Sequence, residues 1–316
     1  MAARRTDEIQ LATTNGHRPS RTRHVAGREP HKASFLPVYP TIVRPIAPAA
    51  GYIGGKRNLA SRLTAIIAQV DHDGYAEPFV GMGGIFLRRR SRPKVEIIND
   101  VSGDVATFFR VLQRHYPYFL DMLRFRVASR NEFERLKAQA PETLTDLERA
   151  ARFLYLQRLA FGGKVNGRHF GVDRTQGARF NVTKLEPMLA DIHDRLAGVV
   201  IEQLGYAEFI RRYDRAGMLF YLDPPYWGCE DDYGQDVFGR ADFAALADQL
   251  AGIKGKFLLS INDTPGAREV FGRFHQVQLP VTYTVGAGAA KQVSELVVAN
   301  FDATALCSPR KAANNN

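Results

Sequence analysis

One stretch constrains the fold more than any other. Met218 to Leu222 places five apolar or aromatic residues in a row, and Asp223, Pro224 and Pro225 follow at once. An uninterrupted apolar run bounded by breakers suits a short, central, buried strand. Neither proline has an N–H to give to a ladder, so the strand stops there. Asp223 therefore stands at the carboxyl end of a buried strand, with Tyr226 and Trp227 just past a stiff corner. In open α/β sheets that edge is where ligands bind.

The rest of the chain alternates in a compatible way. Leu59, Leu63, Ile66, Ile67 and Val70 recur at helical spacing after the Gly54-Gly55 turn. "YAEPFV" (75–80) reads as a strand running into "GMGGIFLRRR", a glycine turn that opens a short helix. "VEIIND" (95–100) is a second strand ending in an acid. From Val101 to about Leu196 the pattern is mostly helical, with capping-box spacing at Asn131/Glu134 and at Thr145/Glu148. A glycine-rich basic stretch, "FGGKVNGRHFGVDRTQGARFN", interrupts it. Beyond lie the strand "VVIEQL", the helix "YAEFIRRY", the proline-stopped strand, a helix from Asp242 to Ile253 and the strand "KFLLSIND". The helix "GAREVFGRF" follows, and "HQVQLPVTYTV" with "SELVVANF" form a closing antiparallel pair. Strands alternating with helices predict an α/β domain on a mostly parallel sheet. Residues 49–104 and 199–303 would build that domain, 105–198 would be inserted into it, and 304–316 would be a flexible tail. Residues 1–48, rich in Arg, Pro, Ser and Thr, read as a basic disordered arm.

The chain carries a net charge of +10, unevenly placed. Residues 1–198 hold 32 Lys and Arg against 19 Asp and Glu, whereas residues 199–316 hold 11 against 14. A basic excess confined to one part of a chain is the footprint of a nucleic-acid partner. Two cysteines, Cys229 and Cys307, are too few for a disulfide framework and fit a reducing cytoplasm. No apolar run approaches 18 residues, so no membrane span is expected. Arg4-Arg5 is not followed by an apolar stretch, so no export signal is expected. The eight histidines lack ligand spacing, so no metal site is expected. Nothing points to an obligate protein partner.

Three constellations carry chemistry. In "EPFVGMGGIF" a strand meets glycines that open a helix, which brings backbone N–H groups against a ligand. Gly81 and Gly83 give G-x-G, but Phe86 replaces the third glycine of the dinucleotide fingerprint. Asp100 ends the next strand, where an acid can meet ribose hydroxyls or simply cap the following helix. "GYIGGKRN" lets backbone approach a ligand and puts Lys56 beside it, although taken alone this motif reads more simply as a surface turn with a solvated lysine. "DPPY" is sharper. A carboxylate and proline carbonyls offer acceptors only, and Tyr226 offers a flat face, which together suit an exocyclic amine on a planar base.

In this order, "GYIGGK", "EPFVGMGG", "IIND", a helical insertion with "FGGKVNGRHF" and "FNV", then "YLDPPYWG", "LLSIND" and "SELVVAN" resemble the DNA adenine methylase (Dam) family. The likeness is strongest to its phage and bacterial branch and spans about residues 50–300. It implies a Rossmann-like methyltransferase sheet of seven strands with an inserted target-recognition region, S-adenosylmethionine as methyl donor, and adenine in double-stranded DNA as acceptor. By the same resemblance Tyr52, Lys56, Glu77, Phe79, Gly81, Gly83, Asp100 and Asp223 would bind the cofactor. Asp223, Pro224, Pro225 and Tyr226 would form the catalytic motif. The chain departs from the family pattern at Phe161-Gly162-Gly163 and at Thr183-Lys184-Leu185, both beside the recognition insertion, so the target sequence does not carry over.

Lys164, Arg168, Arg174 and Arg179 in the basic interruption are candidate DNA contacts. Arg88, Arg89 and Arg90 end a predicted helix, where cations are favoured anyway. Cys229 follows Gly228 and Cys307 follows Leu306, so neither has the proline-preceded setting of a cytosine ring-carbon methylase nucleophile. The competing readings are a methylase of an RNA base or of the cytosine amine, a catalytically silent DNA-binding scaffold, and a nicotinamide-dependent dehydrogenase. The 140 positions between Gly83 and Asp223 favour a separate DNA-reading module over an RNA enzyme.

Overall fold

The computed structural model describes residues 40–171, 175, 177–230, 238–283 and 291–307. The described residues begin with β1 (Thr41–Ile42), α1 (Ala60–Ile67), β2 (Gly74–Glu77), β3 (Ser91–Arg92) and β4 (Val95–Asn99). Five helices follow: α2 (Gly103–Arg114), α3 (Tyr116–Arg124), α4 (Arg130–Ala138), α5 (Asp146–Leu159) and α6 (Val182–Arg195). Then come β5 (Val200–Glu202), α7 (Tyr206–Tyr213), β6 (Met218–Leu222), α8 (Arg240–Ala251), β7 (Lys256–Asn262) and α9 (Pro265–Val270). The closing elements are β8 (His275–Tyr283), β9 (Lys291–Ala299) and α10 (Thr304–Cys307).

Seven strands form one sheet in the order β5-β4-β2-β6-β7-β9-β8. The first five are parallel, while β9 runs antiparallel between β7 and β8. The expected seven-strand Rossmann-like α/β sheet and its closing antiparallel pair are therefore present. The chain works outward from β2 to β4 and β5, then returns to place β6 on the other side of β2. That reversal opens a crevice at the carboxyl ends of β2 and β6.

Strand β6 shows why its sequence is apolar throughout. Leu219 and Tyr221 join the core on one face, whereas Met218, Phe220 and Leu222 join the core on the other. Strand side chains alternate with period two, so a strand covered on both faces has no polar position left. Each such burial is worth roughly 1.5–3 kcal/mol. The helices between β4 and β5 share the first of these cores: Phe108, Phe119, Phe153 and Leu189 pack into the same cluster as Leu63, Phe86 and Tyr221. These helices are thus continuous with the sheet's own core.

Several boundaries differ from expectation. Part of the supposed arm is ordered: Thr41–Ile42 pairs with Ser91–Arg92, and the Ile46 N–H donates to the Leu87 carbonyl at 2.8 Å. Residues 1–39 lie outside the described residues. The supposed C-terminal tail begins with the short helix α10, whose Cys307 is buried, and residues 308–316 lie outside the description. Helix α5 has the expected capping box at Thr145 and Glu148. Helix α4 is instead capped by Ser129, whose hydroxyl accepts from the Glu132 N–H at 3.1 Å. Asn131 and Glu134 fall inside that helix, because the cap that fits the extended backbone lies two residues earlier.

Candidate active site

A cleft of about 770 Å³ lies at this crevice, bordered by Tyr52, Lys56, Glu77, Phe79, Gly81, Asp100, Tyr206, Asp223 and Pro225 among others. Most of the residues implied for the cofactor therefore meet at one place, although they come from four separate stretches of chain.

The glycine loop explains itself locally. Gly81 has φ +51, and a Cβ there would sit 3.0 Å from the Tyr52 ring, so a side chain would be strained and would collide with the cleft wall. Its N–H donates to Asp100 Oδ2 at 2.9 Å, and the Ser102 N–H donates to Asp100 Oδ1 at 2.9 Å. Asp100 thus ties the loop to the start of α2 while bordering the cleft. Burial raises its pKa to about 6 against the pull of those two N–H groups. Gly83 does not border the cleft; its Cβ would press on Leu87 and Phe109, so it serves core packing. Phe79 adds a flat wall with Tyr206 and Phe238, at centroid separations of 5.7 and 5.8 Å.

Glu77 ends β2 and accepts from the Tyr75 hydroxyl at 2.6 Å. Burial raises its pKa to about 8; the Tyr75 hydrogen bond and Arg89 oppose the shift, and Asp223 reinforces it.

The DPPY corner is held from three sides. Asn262, at the end of β7, clamps Trp227 by accepting from its N–H at 2.8 Å and donating to its carbonyl at 3.0 Å. The Trp227 ring lies against Gly266 and Phe243 with the Arg240 guanidinium 3.9 Å from its centroid, so it packs the corner. Pro224 and Pro225 are buried, Tyr226 is half-buried, and Pro225 borders the cleft.

Lys56 departs most from a surface-turn reading. It is 2% exposed, and its Nζ lies 2.7 Å from Asp223 Oδ1 and 2.7 Å from Glu295 Oε1. It also donates to the Tyr226 hydroxyl at 3.0 Å. Burial works against its charge, but Asp223 and Glu295 outweigh that and hold its pKa well above 10.5. Asp223 is pushed up to about 6, by burial first, with Lys56 pulling down and Glu295 pushing up. Its side chain keeps 23% of its surface, so Asp223 is the most exposed of these three charged groups.

Sequence reasoning missed Glu295, Asn262 and Asn99. Asn99 donates to the carbonyls of Pro78 and Leu204 and accepts from the Leu204 N–H, joining the loops that follow β2 and β5. The available signal was a polar residue inside an apolar strand, in "EIIND", "LLSIND" and "SELVVAN".

The basic interruption divides. Lys164 and Arg179 are exposed. Arg168 is a correction: it is 9% exposed, donates to Gln157 Oε1 and to the Lys164 carbonyl, and lies over the Phe153 ring. Gln157 in turn donates to the carbonyls of Gly51 and Gly163. Arg168 thus braces the loop against the cleft wall, since a buried guanidinium needs such partners. Arg174 lies outside the described residues.

Comparison with known proteins agrees with this geometry. The family of D12 class N6 adenine-specific DNA methyltransferases matches residues 52–285. Among curated proteins, the type II methyltransferase M.CviBI of Paramecium bursaria Chlorella virus NC1A is 21% identical, over 75% of this chain and 90% of that one. The type II methyltransferase M1.LlaDCHI of Lactococcus lactis subsp. cremoris is 24% identical, over 81% of this chain and 96% of that one. A DNA N-6-adenine-methyltransferase of Escherichia phage P1 is 25% identical over 62% of this chain, but only 27% of the phage protein is covered. The family match covers most of the chain and both halves of the cleft, and the protein belongs to the D12 class of N6 adenine-specific DNA methyltransferases.

Proposed function

We propose that the cleft takes S-adenosylmethionine and an adenine turned out of duplex DNA, and that Asp223, Pro224 and Tyr226 act on the exocyclic amine. The observation that carries this is Asp223 itself: a carboxylate at the end of β6, held by a buried lysine, and open to a cleft at the point where strand order reverses.

The donor set suits the cofactor. Glu77 and Asp100 bring carboxyl groups to the cleft that can meet hydroxyl or ammonium hydrogens, Phe79 and Tyr206 offer ring faces for a base, and Gly81 borders the wall without a side chain. When bound, S-adenosylmethionine supplies a methyl group already activated on a sulfonium. The protein's work is then orientation and electrostatics. Asp223, ionised above about pH 6, accepts one amine hydrogen and the Pro224 carbonyl accepts the other. Both draw the nitrogen toward a pyramidal geometry and free its lone pair. The prolines contribute no competing N–H donor. Tyr226, its hydroxyl tied back to Lys56 and Glu295, offers its ring to the base. Lys56 serves as the counterion of Asp223; its buried ammonium is fully engaged there.

The base must leave the stack to reach such a cleft. Lys164 and Arg179 would meet the phosphates around it, and residues 105–198 would read the target sequence. Asp223→Ala tests the assignment: methyl transfer should fall by about 10²–10³-fold with DNA binding largely kept. A variant with near-normal turnover would refute it.

A further inference from the structure

Glu295 lies on β9 opposite Asn262 of β7 and is 2% exposed. It does not border the cleft, yet it contacts two of the groups that build the DPPY corner. Its Oε1 is 2.7 Å from Lys56 Nζ, and its Oε2 accepts from the Tyr226 hydroxyl at 3.1 Å. Lys56 closes the arrangement by reaching both Asp223, at 2.7 Å, and the Tyr226 hydroxyl, at 3.0 Å. Lys56 and Tyr226 are 170 positions apart in the chain, and Glu295 is an anchor common to both.

We propose that Glu295 is a positioning residue for adenine methylation: from behind the cleft it fixes the Lys56 ammonium against Asp223 and the Tyr226 hydroxyl in the same cluster, so that acceptor and ring meet the target base in one register. This rests on the reading of Asp223 as the acceptor for the amine. Neither the glycine loop nor DPPY encodes it; the only trace in the sequence is an acid inside the apolar strand "SELVVANF".

The charge count supplies a readout that a merely structural brace would not move. Two carboxylates share one ammonium, so Glu295 competes with Asp223 for Lys56 and its negative charge opposes the ionisation of Asp223. In Glu295→Gln the ammonium turns wholly to Asp223, and the acid limb of methyl transfer moves to lower pH. At the same time Lys56 and Tyr226 lose their common anchor, and turnover falls. Folding should tolerate the change, because one carboxylate is left facing one ammonium and the amide oxygen still accepts a hydrogen bond.

The test measures kcat and KM for unmethylated duplex DNA from pH 5 to 9 in the wild type, Glu295→Gln and Glu295→Asp, with the methylated nucleoside identified. Expected for Glu295→Gln are a kcat lower by about tenfold or more, a KM for DNA within about threefold, and an acid limb displaced downward. Glu295→Asp keeps the charge but shortens the reach, so its limb should stay near the wild type's while kcat falls. A Glu295→Gln enzyme with kcat within about twofold of wild type and an unmoved limb overturns the proposal. If that variant does not fold, a fully active Glu295→Asp enzyme overturns it alone. A wild-type enzyme that makes no methyladenine overturns the proposed function beneath it, an outcome visible before any variant is compared.

Discussion

Two ion clusters flank β2, and they are opposite in the sign of the central charge. At the cleft, one ammonium (Lys56) lies between two carboxylates, Asp223 and Glu295. At the far side, one carboxylate (Glu96, on β4) lies between the buried guanidiniums of Arg89 and Arg195, with contacts of 2.6–2.7 Å, and the partly exposed Arg92 approaches it at 3.4 Å. Arg89 lies 3.5 Å from the centroid of Tyr75, and Arg195 lies 4.2 Å from that of Phe86. Three of their nitrogens are buried without hydrogen-bond partners among the described residues. The difference is chemical. A carboxylate left uncompensated can take up a proton, whereas a guanidinium cannot give one up. The acidic cluster can therefore adjust its charge at the site of reaction, and the basic cluster is locked as a joint between the sheet and α6.

Removing the lone central charge from each cluster separates the two roles. Glu96→Gln leaves two guanidiniums facing each other in the core, and stability should fall by roughly 3–5 kcal/mol in urea unfolding. A loss under about 1 kcal/mol would show that the joint bears no weight. Lys56→Met should act mainly on chemistry. Asp223 and Glu295 then repel, Asp223 retains its proton to higher pH, and methyl transfer at pH 7 should drop about tenfold or more. If its acid limb stays near pH 6, the coupling between Lys56 and Asp223 is wrong.

In the wild type, activity and the cleft's share of stability should respond to pH in opposite senses. Methyl transfer needs ionised Asp223, so it should fall about tenfold per pH unit below about 6. Stability runs the other way. Asp223 and Asp100 have pKa values raised from 3.8 to about 6, and Glu77 from 4.5 to about 8. Their contribution is fully present below the unfolded values and is lost as pH rises through the folded ones. Glu77→Gln should flatten the decline in melting temperature between about pH 6 and 8; an unchanged slope would exclude Glu77 as its source. The smallest effect belongs to the periphery: Ser129→Ala should cost about 1 kcal/mol through α4 and leave turnover unchanged, by melting and steady-state assays.

The contrast also explains what was legible in the sequence. Strand β6 and its stop were, because burial on both faces forces a continuous apolar run and proline ends a ladder whatever surrounds it. The glycine loop was, because the φ of Gly81 excludes side chains locally. Lys56 was recognisable as part of a motif but not as a buried ion, since its burial depends on partners 167 and 239 positions away in the chain. Glu295 and Glu96 were hidden for the same reason: each is an acid on a strand whose partner lies on another element. Arg168 failed in the opposite direction. Its basic, glycine-rich surroundings suggest exposure, and only the fold brings Gln157 and Phe153 against it.

The most direct test of the account is transfer of labelled methyl groups from S-adenosylmethionine to unmethylated duplex DNA, followed by digestion and separation of the nucleosides. Label is expected in N6-methyladenine and should be lost in Asp223→Ala. Label in methylcytosine, or none on DNA with cofactor bound, would contradict it.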